Sequence, residues 1–266
     1  MLYGAMNFPI KSVLTEIDEI ARLGFDYLEL AMDPPQAHYS MISENKDAIL
    51  KALDSHCMQL VCHLPSFVSI ADLTKSIREA SLTEMFKSLE VAAGLNALKV
   101  VLHPGYIGGL GVFVMETALQ FGRESLAAII AKADRLGLCI CLENMFPRLQ
   151  TYFKPEHFEE ILEQFADLKL TLDTGHANID NHDGRKILDF IRHYSHRIGH
   201  VHLSDNFGKR DDHLPLGEGN IDFDSVAKAL KDCGYDDTIT LEIFAEDRRK
   251  LKASKENFKA MLERTD

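Results

Sequence analysis

Acidic and imidazole side chains close otherwise apolar runs at intervals along this chain, and their types are those of a divalent-metal centre. VCHLP carries His63, VVLHPG carries His103, CLEN carries Glu143, and TLDTGH supplies Asp173 with His176 close behind. HVHLSD supplies His202, TLEIF supplies Glu242, and RDDHLPLGEG adds Asp211 and His213. Glu29 holds a similar place in YLEL. Taken singly, such a residue is ordinarily a buried polar group satisfied by hydrogen bonds. Gathered around one point, so many acids repel one another and resist desolvation, and a divalent cation offsets both. Imidazole and carboxylate without thiolate suit zinc, manganese or iron better than a soft-metal site.

Such a gathering needs a fold whose strand ends converge. Eight apolar, β-rich runs, 2–8, 25–31, 59–64, 98–103, 138–143, 168–173, 198–203 and 238–244, alternate with helical patterns. That alternation marks a parallel sheet with crossover helices. Between the runs, Val13, Ile17, Ile20 and Ala21, then Leu82, Met85, Phe86 and Leu89, then Phe158, Ile161, Leu162 and Phe165, fall at helical spacing. Gly24, Gly94, Gly137 and Gly234 each follow a helical pattern and precede a strand, and Pro155 suits a first helical turn. The segments ARLGFDYLEL, ADRLGLCICLEN and KDCGYDDTITLEI repeat one order: helix end, glycine, strand, terminal glutamate. A doubly wound open sheet would carry a glycine-rich phosphate turn after its first strand, and none follows here. The expected fold is therefore α/β, a (β/α)₈ TIM barrel forming a single domain over 1–266, with its active site at the carboxyl ends of the strands. The glycines of RDDHLPLGEG allow the loop after the seventh strand to fold back over that mouth.

The bulk numbers agree. A chain of 266 residues, 46% hydrophobic, is long enough to bury one sizeable core. Its net charge of −12 repels polyanions, so a nucleic-acid partner is not expected. No uncharged apolar stretch reaches about 18 residues, and MLYGAMNFPI lacks the basic and apolar regions of an export signal. A soluble cytoplasmic protein with no membrane partner is expected, and a homo-oligomer is compatible with the sequence. Cys57, Cys62, Cys139, Cys141 and Cys233 form no CxxC pair and read as buried hydrophobes in a reducing compartment. His38, His56, His157, His182, His193 and His196 read as solvated helix or loop residues. His200, two residues before His202, shares its strand face and is expected one layer deeper, donating to the site from below.

The motifs VVLHPG, CLEN, LDTGH, HVHLSDN, DDHLPLGEGNIDF and TLEIF resemble those of the xylose-isomerase-like barrel superfamily, and the resemblance covers nearly the whole chain. That superfamily holds sugar and sugar-phosphate isomerases and epimerases together with the endonuclease IV family, an AP endonuclease family 2-like group. Its ketose 3-epimerases hold one metal with two glutamates, an aspartate and a histidine, which match Glu143, Asp173, His202 and Glu242. The histidine matching His176 touches substrate there. Endonuclease IV binds three zinc ions through nine ligands, matched by type at His63, His103, Glu143, Asp173, His176, His202, Asp211, His213 and Glu242. This chain departs from that enzyme at Asp212 and Leu214, where DRHE is the endonuclease pattern, and at Gly175, where the endonuclease has cysteine.

The resemblance therefore implies a metal-dependent isomerase or epimerase acting on a sugar, sugar phosphate or polyol through an enediolate, with zinc or manganese as cofactor. Glu143 and Glu242 would exchange a proton on opposite faces of a carbohydrate substrate. His63, His103 and His176 would contact that substrate in a mononuclear site or serve as further ligands in a multinuclear one. Arg148, Lys209 and Arg210 would take a terminal phosphate. The alternative is a zinc phosphodiesterase acting on abasic DNA.

Overall fold

The protein is described by a computed structural model covering residues 1–8, 10–66, 68–181 and 184–264, so His182 lies outside the described residues. Its strands are β1 (Leu2–Met6), β2 (Tyr27–Ala31), β3 (Gln59–His63), β4 (Val100–Leu102), β5 (Ile140–Glu143), β6 (Lys169–Asp173), β7 (Ile198–Leu203) and β8 (Thr238–Leu241). Each pairs in parallel with the next, and β8 returns to β1, closing the barrel. All eight expected strands form. Most are shorter than the apolar runs, because their ends leave the ladder to enter loops: Glu242 lies one residue past β8, yet its N–H still reaches the Leu203 carbonyl at 3.1 Å.

The helices are α1 (Val13–Arg22), α2 (Tyr39–Glu44), α3 (Lys46–Ser55), α4 (Lys75–Gly94), α5 (Met115–Leu136), α6 (Glu159–Gln164), α7 (Thr174–Asn178), α8 (Lys186–Tyr194), α9 (Phe223–Asp232) and α10 (Arg249–Arg264). The three periodic stripes named above pack as expected. Ile17, Ile20, Met85, Leu89, Phe158, Ile161 and Leu162 enter the layer between helices and sheet, while Ala21, Leu82, Phe86 and Phe165 flank it. Ser12 caps α1 by accepting from the Thr15 N–H. Gly24, Gly137 and Gly234 follow helices at φ of 77°, 70° and 73°. Gly94 instead remains helical, and Asn96 takes the left-handed conformation before β4 at φ 57°. Pro155 opens a short 3₁₀ turn ahead of α6.

The interior of the barrel is layered, because residues two apart on a strand share a face. Inside the barrel Tyr27, Val61 and Val101 form a small apolar cluster. Beside them lies a polar group of Glu29, His200 and Thr240, all buried. A barrel interior usually fills with branched aliphatic side chains, so a buried polar layer in mid-barrel points upward to the mouth it supports. No helix among the described residues is long and apolar enough to cross a membrane.

Candidate metal centre

All nine predicted side chains meet at the mouth. Asp173 ends β6 and opens α7, and one carboxylate serves both purposes. Its Oδ1 accepts the His176 N–H at 2.6 Å as the helix cap, and its Oδ2 faces His202 Nδ1 at 3.5 Å. His202 Nδ1 also lies 3.5 Å from Glu143 Oε1 and 3.1 Å from Glu242 Oε2. One ligand atom from each of Glu143, Asp173, His202 and Glu242 falls within 4.8 Å of every other.

The remaining histidines are arranged around this set. His63 and His103 bring Nε2 to 3.3 and 3.1 Å from Glu143 Oε2. Asp211 Oδ2 lies between His176 Nε2 at 3.1 Å and His213 Nε2 at 3.0 Å. A carbonyl only accepts, so three rings place a proton on Nδ1: His63 donates to the Leu64 carbonyl at 2.8 Å, His176 to that of Asn144 at 2.9 Å, and His213 to that of Glu242 at 3.2 Å. Each thereby turns Nε2 toward the acids, as ligating histidines do.

The donor set fits a divalent ion. Asp173 Oδ2, His202 Nδ1 and Glu242 Oε2, from residues that converge on one focus, are buried without a hydrogen-bond partner, an expensive state for polar atoms, and so is Asp211 Oδ1. Charge tells the same story. Burial raises the pKa of Glu143, but His103 and His202 outweigh it and hold the carboxyl well below its usual range. Burial lowers that of His202, and Glu29, Glu143 and Glu242 hold it well above the usual imidazole range. Burial also opposes the charge on His63, which Glu143 nonetheless lifts to about 9. Asp173 is pushed up to about 6 by burial, with Glu242 and Glu143 adding to the rise. Protons on imidazoles thus hold the crowded carboxylates together, a task a dication performs better.

Two supporting residues escaped the sequence reading. Asn144, beside Glu143 in CLEN, accepts the Asp173 N–H at 2.8 Å and donates to the Asp173 carbonyl at 3.0 Å, fixing β5 to β6 at their ends. Asp205 is fully buried and organises the loop after β7. Its carboxylate accepts from the N–H groups of Asn206, Gly217 and Gly219, each at 2.9 Å, and of Ile221 at 3.2 Å, while its backbone bridges to Leu214. The loop therefore folds back, as its glycines allow, and delivers Asp211 and His213. Asp205→Ala is expected to strand these donors and cost about 2–4 kcal/mol. Urea unfolding measures this, and a loss below about 0.5 kcal/mol would mean that the loop holds itself.

Glu29 departs from the place its motif implied. It lies two residues before the end of β2 and so sits one layer below Glu143 and Glu242, bonded to His200 as well as His202. His200 occupies that deeper layer, as expected. His38 caps α2 and reaches Glu84 at 3.0 Å, whereas His56, His157, His193 and His196 are exposed. Cys62 and Cys141 are buried, Cys139 is half-buried, and Cys57 and Cys233 are exposed, contrary to the uniform burial expected of them.

Above the centre opens a cavity of about 570 Å³ lined by Phe8, Tyr106, Phe146 and Phe244 among others, with Asp33 and Ser66 as a polar pair on one side. Asp33 accepts both the N–H and the hydroxyl of Ser66, at 3.0 and 3.1 Å. Among the described residues no lysine or arginine lines this cavity. Arg148, Lys209 and Arg210 are exposed outside it, and Arg210 pairs with Asp212 at 3.1 Å.

Residues 17–264 match the family described as Xylose isomerase-like TIM barrel. The chain belongs to that family. Within the xylose isomerase-like barrels it is 31% identical over 243 residues to the uncharacterized protein MJ1311 of Methanocaldococcus jannaschii, covering 90% of this chain and 81% of that one. A solved structure, a D-tagatose 3-epimerase-like protein, superposes with a TM-score of 0.87 at 30% identity, covering 100% of this chain and 98% of that one. Two relatives at 24% identity diverge in activity. One is the L-ribulose-5-phosphate 3-epimerase UlaE of Salmonella paratyphi C, covering 84% of this chain and 79% of its own. The other is a probable endonuclease 4 of Mycobacterium leprae, covering 79% and 82%.

Proposed function

We propose that this protein is a divalent-metal-dependent epimerase or isomerase of an unphosphorylated ketose or related polyol. The observation that carries this reading is the set of Glu143, Asp173, His202 and Glu242, reached through Glu242 from a cavity with aromatic walls and, among the described residues, no lysine or arginine. These four residues would hold the ion, zinc or manganese by donor type. When bound, it would polarise the carbonyl and neighbouring hydroxyl of the sugar and stabilise the negative charge left when a carbon-bound proton departs.

The chain supplies the rest. Glu143 and Glu242 reach the reacting carbon from β5 and from the end of β8, so one removes the proton and the other returns it. His176 orients a hydroxyl. Asp33 and Ser66 offer hydrogen bonds to the distal hydroxyls, and Asp33 would repel a phosphate. The direct test is solvent-deuterium incorporation, followed by NMR, across matched ketoses and ketose phosphates. Exchange confined to phosphorylated sugars would overturn the unphosphorylated assignment, and no exchange in any ketose would overturn the reaction.

A phosphodiesterase reading is favoured by one observation: all nine ligand types of endonuclease IV converge here. Charge and local geometry oppose it. The net charge is −12, and affinity for duplex DNA depends on lysine and arginine neutralising its phosphates. A Cβ at Gly175 would stand 2.5 Å from Ser204 Oγ, so the cysteine of the endonuclease pattern does not fit here without rearrangement. No incision of an abasic duplex is expected at physiological salt with zinc supplied. Robust incision on a denaturing gel would reverse the ranking.

A further inference from the structure

Beneath the metal centre, Glu29 is tied in a way the proposed chemistry does not use. Its carboxylate is fully buried and accepts from three side chains. His202 Nε2 lies 2.9 Å from Oε1, His200 Nε2 lies 2.9 Å from Oε2, and the Thr240 hydroxyl also donates to Oε2. Each donor is itself held. The Tyr27 hydroxyl meets Thr240 Oγ1 at 2.8 Å, and the Thr238 hydroxyl meets His200 Nδ1 at 2.6 Å. The hydroxyls can orient so that every proton in the chain runs toward Glu29: Tyr27 to Thr240 to Glu29 on one side, Thr238 to His200 to Glu29 on the other.

Glu29, His200 and His202 converge closely enough to be read as a metal site of their own. Their separations are those of hydrogen bonds, and two N–H groups and one O–H group already donate to the carboxylate. What the arrangement does is fix one ring. With Nε2–H committed to Glu29, His202 has only Nδ1 to offer, and that atom is buried without a partner, facing Glu143, Asp173 and Glu242.

We propose that Glu29 is a positioning residue: it locks the tautomer and orientation of His202 from below and thereby sets how tightly the centre holds its ion. A carboxylate on the far nitrogen also makes the ligating nitrogen more basic, and removing such a partner typically weakens metal binding. The proposal rests on the metal centre of the preceding reading, and not on its sugar chemistry.

The test is zinc affinity of the full-length protein, measured by competition with a chromophoric chelator for wild type and Glu29→Gln. Glutamine keeps the shape but removes the charge and turns an amide N–H₂ toward Thr240 and His200. Weakening of roughly 10–100-fold is expected. Wild-type affinity in the folded variant would overturn the proposal, and with a lowered metal-free melting temperature it would leave Glu29 a structural residue only. Should Glu29→Gln not fold, NMR of the ring nitrogens in zinc-loaded wild type decides: Nδ1 of His202 metal-bound with a protonated Nε2 is expected, and coordination through Nε2 overturns the idea. Wild-type protein that binds no zinc would sink both centre and proposal. Weakened affinity in a protein that turns over no ketose would keep Glu29 in its role and reject the epimerase reading alone.

Discussion

Stripping the protein with a strong chelator is expected to abolish turnover and to lower its melting temperature by roughly 8–16 °C, with both restored by adding back zinc or manganese. The size follows from linkage: an ion that binds only the folded state, present at about a thousand times its dissociation constant, stabilises by about 4 kcal/mol. In a domain of this length each kcal/mol moves the midpoint by about 2–4 °C. The direction follows from the site itself. Without an ion, Asp173 Oδ2, Glu242 Oε2 and His202 Nδ1 stay buried and unpartnered, and three carboxylates face one another. The measurement is a thermal scan beside metal analysis of the same sample. An unchanged midpoint in protein shown to have lost its metal would sink the assignment of the centre.

The barrel and the gathering of acids and histidines at its mouth were legible in the sequence for a common reason. A strand buried on both faces is apolar throughout, so a histidine or acid at its carboxyl end stands out against it, as His63, Glu143 and Asp173 do. What stayed hidden depends on quantities that a linear pattern lacks. Glu29, Glu143 and Glu242 look equivalent in their motifs, yet Glu29 is five residues past its cap glycine, Glu143 six and Glu242 eight. Position along the strand becomes depth in the barrel, so the shortest spacing drops Glu29 beneath the mouth. Asp205 acts on backbone N–H groups, which every residue but proline carries, so nothing in the side-chain pattern marks its partners. The three basic residues beside the motifs were plausible phosphate ligands by proximity in sequence. All three are exposed and none lines the cavity, and the unphosphorylated substrate proposed above rests on that.

The sharpest separation of chemistry from scaffolding lies in Glu143→Gln and Glu242→Gln. Each is expected to cut net epimerisation by about a hundred- to ten-thousandfold, the contribution typical of a positioned acid or base. Their exchange behaviour should differ from each other. The two members of a ketose 3-epimer pair present the reacting C–H to opposite faces, so each epimer loses its proton to only one of the two glutamates. One variant should therefore stop solvent-deuterium uptake starting from the first epimer, and the other from the second, while the surviving carboxylate still exchanges its own epimer without inverting it. Glutamine retains an amide oxygen as a weak ligand, so metal analysis must show that each variant remains loaded before its rates are compared. Glu143 also stands within 3.5 Å of His63, His103, His176 and His202, so its replacement is expected to weaken metal binding more than that of Glu242 does. His176→Ala serves as the control, losing about tenfold through orientation while leaving both bases in place. Deuterium NMR of each epimer with each loaded variant reads the pattern directly. Exchange of both epimers at the wild-type rate in either glutamine variant would show that the proton travels through some other residue.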